Sequence, residues 1–273
     1  MARNTSKGKL NRTPPNETIA QLLKEINYGC PIQNCCNPYL EFHHFDPPWN
    51  VKRHHDPKGM IALCSQHHRA ADGGAYTKQQ LHELKTRKCT DVSGRFEWRR
   101  NDLILLLGGS IFINFTTVIR DDITDKKIIW VNRDEHNNML LNLDMNALLL
   151  EGKRQRLKLH DNVWFLQGNP KEFRCPPSGK EIYATYENGD RLWIRFDEIT
   201  DKEKLKSICC LPLTEEWLGK TLPLTLVRID LTIVDRKLKI DSAHGFNYGS
   251  SISPGFIFDQ NNTPIAAIGL GHI

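Results

Sequence analysis

The segment TIAQLLKEI puts Ile19, Leu22, Leu23 and Ile26 at helical spacing, which predicts one short amphipathic helix. In YTKQQLHELKTRK, Thr77 stands three residues before Gln80, the form of a capping box, and predicts a helix running to about Lys88. From Phe96 onward the texture changes to short apolar or alternating runs broken by turn residues, as in DLILLLGG, SIFINFTTVI, KKIIWV and NVWFLQG. Such runs predict strands. In IYATYENGDRLWIRF the alternation is interrupted at Asn188-Gly189, which reads as the φ > 0 pair of a two-residue hairpin turn. Further strands are expected in LTLVRIDLTIV, KLKI, GFIF and PIAAIGL, with a helix near TDKEKLKSI. The uneven strand spacing leaves a solenoid-like stack and a sandwich both open. The pair of glycines in LLLGGS lacks the spacing and lysine of a phosphate loop and reads as a turn.

This texture predicts an α+β chain: a flexible basic arm over 1–16, a helix-flanked domain over 17–90, a linker over 91–95 and a β-rich domain over 96–273. The β-rich domain is expected to recognise a target, sense a signal or form a homo-oligomer. Charge sharpens the division. Residues 1–100 carry 16 Lys+Arg against 9 Asp+Glu, whereas residues 101–273 carry 21 against 23. A basic local field attracts polyanions, so nucleic acid is the natural partner of the first part. No apolar run approaches the roughly 18 residues of a membrane span, and the basic start lacks the apolar stretch of a secretory signal. Cys89, Cys175, Cys209 and Cys210 show no spacing of a disulfide framework, so a reducing cytoplasm is the expected location and no membrane partner is expected. His160 and His244 lack partners at ligand spacing and are expected to pack or face solvent.

Residues 28–74 hold four of the eight cysteines and six of the eleven histidines. Cys30 and Cys35 are separated by four intervening residues on a turn, and Cys64 and His67 by two at the start of a helix. Two close pairs about thirty residues apart are the pattern by which one tetrahedral Zn2+ staples two chain segments. Cys36 is an alternative to Cys35. His43, His44, His54, His55 and His68 then need another explanation. In the expected strand LEFHH, neighbouring side chains alternate, so one of His43 and His44 can face a metal while the other faces substrate or solvent.

Cys30-x4-Cys35, LEFHH, GMIALC and CSQHHR, taken together over residues 28–75, resemble an HNH endonuclease, the ββα-metal fold. No family is recognised for residues 96–273. The resemblance implies LEFHH as first strand, MIAL as second, and a helix from Ser65 to about Ala71. It implies that His43 and His68 hold a catalytic divalent cation, Mg2+ or Mn2+ with Ni2+ or Zn2+ as alternatives, and that His44 is the general base. The family's middle Asn falls at Gly59, and the expectation is that one of His55, Asp56 or Asn50 stands in for it or that catalysis is weakened. Lys52, Arg53 and Arg69 are expected to contact the DNA backbone as charges. The expected function is metal-dependent hydrolysis of DNA phosphodiesters, in the setting of restriction or antiphage defence. The alternative is a non-catalytic zinc-stapled nucleic-acid-binding protein.

Overall fold

The computed structural model describes residues 10–98, 100–114, 117–121, 124–149, 155–208, 222–241, 245–248, 251–253, 257–259 and 268–270. Residues 1–9 of the basic arm, Cys209, Cys210, His244 and parts of the expected strands GFIF and PIAAIGL lie outside them. The protein contains both helices and sheets, and it divides into two compact units, residues 1–92 and 93–273. Among the described residues no helix is long and apolar enough to cross a membrane.

The first unit runs α1 (Asn16–Glu25), β1 (Leu40–His44), β2 (Met60–Cys64), α2 (Ser65–Asp72) and α3 (Lys78–Leu84). Strands β1 and β2 pair antiparallel with His43 opposite Ile61 and His44 opposite Met60. Helix α2 follows β2 without a loop, Cys64 serving as its N-cap residue. Ile26, Leu40, Phe45, Ile61, Leu63, Leu81 and Leu84 form the apolar core beneath these elements. The Thr77–Gln80 capping box is complete in both directions. Helix α3 ends at Leu84, earlier than its periodicity suggested, because the chain tightens into three-residue bonds from Thr86 and Arg87. There the Lys85 ammonium turns inward and donates to the Glu25 carboxylate (2.6 Å) and to the carbonyls of Pro57 (2.9 Å) and Met60 (2.6 Å). One cation thus ties the end of α3 to α1 and to the approach to β2.

The second unit begins with β3 (Ser93–Arg95), β4 (Ile104–Leu107), β5 (Ser110–Ile113), β6 (Thr117–Asp121), β7 (Lys126–Arg133), β8 (Met139–Asp144), β9 (Lys158–His160) and β10 (Val163–Phe165). It continues with β11 (Glu172–Arg174), β12 (Glu181–Thr185), β13 (Arg191–Ile199), α4 (Lys202–Ile208), β14 (Leu224–Ile233), β15 (Leu238–Asp241), β16 (Gly245–Tyr248), β17 (Ser251–Ser253), β18 (Ile257–Asp259) and β19 (Ile268–Leu270). One sheet has the order β19-β6-β7-β8-β9-β10-β3 and another the order β11 to β17, with β4, β5 and β18 branching from β14. Among the described residues the ladders are antiparallel except β4 with β14, β5 with β18 and β6 with β19. Ladders of this kind differ from the repeated parallel stack of a solenoid. Fully buried Trp164 of the first sheet meets Phe173 of the second at 5.2 Å between ring centroids.

Two local expectations change. Residues 93–95, read as linker, form β3, whose backbone pairs with β10. The hairpin between β12 and β13 has a three-residue loop: the Gly189 N–H donates to the Tyr186 carbonyl, and of Asn188 and Gly189 only the glycine has positive φ. That is a type I turn closed by a left-handed glycine, the usual solution for three residues. The two-residue turn with φ > 0 at both positions is found instead at Gly108-Gly109, between β4 and β5. A Cβ on Gly108 would also lie 2.9 Å from the Gly245 backbone, so glycine is needed there twice over.

A candidate metal centre and its cleft

Helix α2 presents ligands on two sides. Its N-cap Cys64 and its third residue His67 share the first turn, where the thiol of Cys64 makes no capping bond and lies 3.2 Å from His67 Nδ1. Cys30 Sγ is 3.4 Å from the same nitrogen, and Cys35 Sγ is 3.8 Å from Cys64 Sγ. The four donor atoms all lie within 4.8 Å of one another. A tetrahedron with metal–sulfur bonds of roughly 2.3 Å places its sulfurs about 3.8 Å apart, so the set fits a tetrahedral metal such as zinc. Burial first, then the adjacent Cys64 and Cys35 thiols, push Cys30 up to about 12. Only a bound cation makes so dense a group of thiolates favourable near neutral pH. Cys36 is outside the quartet, and Cys89 donates to the Cys30 carbonyl at 3.2 Å.

His68, one position further along α2, points to β1. Its Nδ1 is 3.2 Å from Asp72 Oδ2 and 3.7 Å from Glu41 Oε2, while His43 Nδ1 is 3.2 Å from Asp72 Oδ1. His43, His68 and Asp72 form a second group able to hold a metal ion. The motif spacing does not point to Asp72, although it stands four residues after His68, the spacing that puts two side chains on one helical face. Burial lowers the His43 pKa, with His68 adding to the effect and Asp72 opposing it.

His44 faces the other way, as strand alternation requires, yet it opens on the same cleft. The end of β1 makes this possible: the N–H groups of both Phe45 and Asp46 donate to the Gly59 carbonyl, at 2.9 and 3.1 Å, which bends the strand there. The cleft holds about 490 Å³ and is lined by His43, His44, Trp49, Asp72, Arg12 and Lys78, among others. His44 is 5% exposed, and neither ring nitrogen has a hydrogen-bond partner of good geometry among the described residues. Its ring rests on Trp49 (4.7 Å), His54 (5.3 Å) and His55 (5.8 Å). Burial first, then these two histidines, push its pKa down to about 4, the nearby His54 main chain opposing in part. At neutral pH this imidazole is uncharged and has a lone pair free.

Gly59 is a glycine for steric reasons, since a Cβ would lie 1.8 Å from the Asp46 carbonyl oxygen. Among the described residues, none of the three expected substitutes bonds its side chain to the Pro47 end of the adjoining loop. Asn50 is exposed, Asp56 caps a short 3-10 turn by accepting from Lys58 N–H, and His55 binds the Asn11 carbonyl. The residue that ties the loop is His54, whose Nε2 lies 2.8 Å from the Pro47 carbonyl and whose Nδ1 accepts from the Asp56 N–H at 3.1 Å. These bonds require the neutral ring protonated on Nε2. Lys52, Arg53 and Arg69 are exposed, and among the described residues the cleft is lined by the cations Arg12 and Lys78. No family model, curated protein or solved structure matches the chain.

Proposed function

We propose that residues 28–75 are an HNH-type, metal-dependent nuclease unit that hydrolyses DNA phosphodiester bonds. One observation carries the reading: a buried, neutral imidazole with unpartnered ring nitrogens shares a cleft with two ligands of an open three-donor group, as His44 does with His43 and Asp72 of the His43/His68/Asp72 set. A buried polar group without a partner costs free energy, and such exceptions concentrate where chemistry is done. In this reading zinc would be held by Cys30, Cys35, Cys64 and His67 and would tie the Cys30–Cys35 turn to the end of β2 and to α2. His43, His68 and Asp72 hold a divalent cation. When bound, that cation supplies positive charge to the scissile phosphate and the leaving oxygen.

The chain's own residues do the rest. A water oxygen attacks phosphorus, the bond to the leaving oxygen breaks, and the water proton passes to the free nitrogen of His44. A lowered pKa keeps His44 able to accept that proton at neutral pH. Trp49, His54 and His55 hold its ring in place. The test is digestion of plasmid, linear duplex and single-stranded DNA with added Mg2+ or Mn2+, beside the His44→Ala protein. Wild type is expected to cut, and removal of a positioned base is expected to cost about 10²- to 10⁴-fold in rate with DNA binding retained. Near-normal cutting by His44→Ala would end the mechanism and leave a zinc-stapled binding module as the better reading.

A further inference from the structure

Residues 11–14, expected to be part of a flexible arm, are docked on the first unit. The His55 Nε2–H donates to the Asn11 carbonyl at 2.9 Å, the Thr18 hydroxyl lies 3.4 Å from the His55 carbonyl, and Pro14 is buried. The Thr13 N–H bonds the Asn11 side chain at 3.4 Å, which turns the chain at this point. His55 in turn stacks on Trp49, 5.5 Å between centroids and 29° between planes. The result is a latch: a backbone carbonyl of the arm is held by a ring that is itself part of the wall beside His44.

The latch carries Arg12 into the cleft lined by His43, His44 and Asp72. Its guanidinium makes no hydrogen bond or ion pair among the described residues. Lys78, the other cation of the cleft among the described residues, is already paired with Asp46 at 2.9 Å. Arg12 is close enough for its charge to reach both His43 and His44. An unpaired guanidinium facing a catalytic cleft is suited to a phosphate, which it can bind through two parallel N–H groups.

We infer that Arg12, positioned by the Asn11–His55 latch, binds a backbone phosphate of the DNA strand that enters the cleft at His44. The inference rests on the nuclease reading and adds to it a contact that local motif spacing around the histidines does not suggest. It makes the arm part of the substrate site.

The experiment measures binding of a fluorescent DNA duplex and of the corresponding single strand, as a function of salt, by the full chain carrying His44→Ala so that the probe survives. Loss of one phosphate contact lowers the slope of log K against log salt by about 0.9 on duplex and about 0.7 on single strand, and weakens duplex binding about eightfold at 0.1 M salt. Adding Arg12→Gln is expected to show that loss, and Arg12→Lys is expected to keep the slope because it keeps the charge. His55→Phe, which preserves the ring stacked on Trp49 but removes the donor to Asn11, is expected to behave like Arg12→Gln. If the parent binds DNA and Arg12→Gln binds with the same slope and affinity, Arg12 is not the contact and the nuclease reading stands. An unchanged slope for His55→Phe removes the latch. Failure of the parent to bind either probe overturns the nuclease reading and this inference with it.

Discussion

Helix α2 serves two donor clusters of opposite character. In its first turn Cys64 and His67 join Cys30 and Cys35 in a group of three thiols and one imidazole, where Cys30 is wholly buried and Cys64 nearly so. One position later His68, with His43 and Asp72, forms a group of two imidazoles and a carboxylate, and the Asp72 side chain is 52% exposed. Four closed soft donors suit a structural metal, whereas three harder donors with an open side suit a cation that must also meet substrate. Successive residues on a helix point about 100° apart, so a shift of one position moves a ligand from the staple to the cleft. Rotation around one helix thus separates the two donor groups, which in the proposed reading serve stability and chemistry respectively.

The largest effect expected is from removing the closed site. Stripping the metal with a chelator, or replacing Cys64 by Ser, is expected to unfold the first unit cooperatively, because a structural zinc contributes on the order of 10 kcal/mol to domains of this size. Metal analysis and far-ultraviolet circular dichroism of the full chain check this, and retention of the bound metal by Cys64→Ser would break the contrast. The open site is expected to respond differently. Asp72→Asn is expected to leave the fold intact and weaken the divalent ion by roughly the 10- to 100-fold seen when even an outer metal partner is lost. Titration of cleavage against Mg2+ or Mn2+ shows this as a shifted midpoint with recovery at high ion concentration.

The second unit sharpens the comparison because charge there is held without such clusters among its described residues. The Arg156 guanidinium donates to the fully buried Asp190 carboxylate at 2.9 Å and lies over Tyr186, 4.4 Å from the ring centroid. The other Asp190 oxygen accepts from the Val234 N–H at 3.0 Å. Asp190→Ala strands a buried cation and is expected to destabilise by about 3–5 kcal/mol, read by urea denaturation. Metal content should not change. The smallest effect concerns Asp197. Burial pushes its pKa up, but hydrogen bonds from Arg228 and Arg195 outweigh it and hold the carboxyl below its ordinary value of 3.8. Its stabilising contribution is therefore present above that value and lost as pH falls through the lower folded value. Asp197→Asn is expected to flatten this acid limb in a pH series of thermal unfolding, leaving the first unit's metal content unaffected.

Several features of the fold and of the candidate site were legible in the chain because they depend on neighbours close in sequence. The Thr77–Gln80 box, the strand LEFHH, and the Cys30/Cys35 and Cys64/His67 pairs each need only a few residues of spacing to be recognised. Asp72 was within reach of the same reasoning, since His68 lies one helical turn before it. Gly59 was visible as a departure, but its cause was not, because the carbonyl that excludes a side chain belongs to Asp46, thirteen positions away.

What the sequence by itself determined are the units whose geometry is set by local backbone periodicity: the helices, the strands with a clear apolar run or alternation, the paired ligands, the turn at Gly108-Gly109 and the concentration of basic charge at the start. Tertiary structure alone decided the rest. Whether Cys35 or Cys36 joins the quartet depends on the turn in which both sit, where Cys36 takes positive φ. That β3 pairs with β10 and β4 with β14 depends on partners tens of residues or more than a hundred residues away. The bond of His54 to Pro47 and the docking of Arg12 through His55 depend on how loops fold back, and a loop's path follows from packing and unsatisfied backbone groups rather than from any period in its residues.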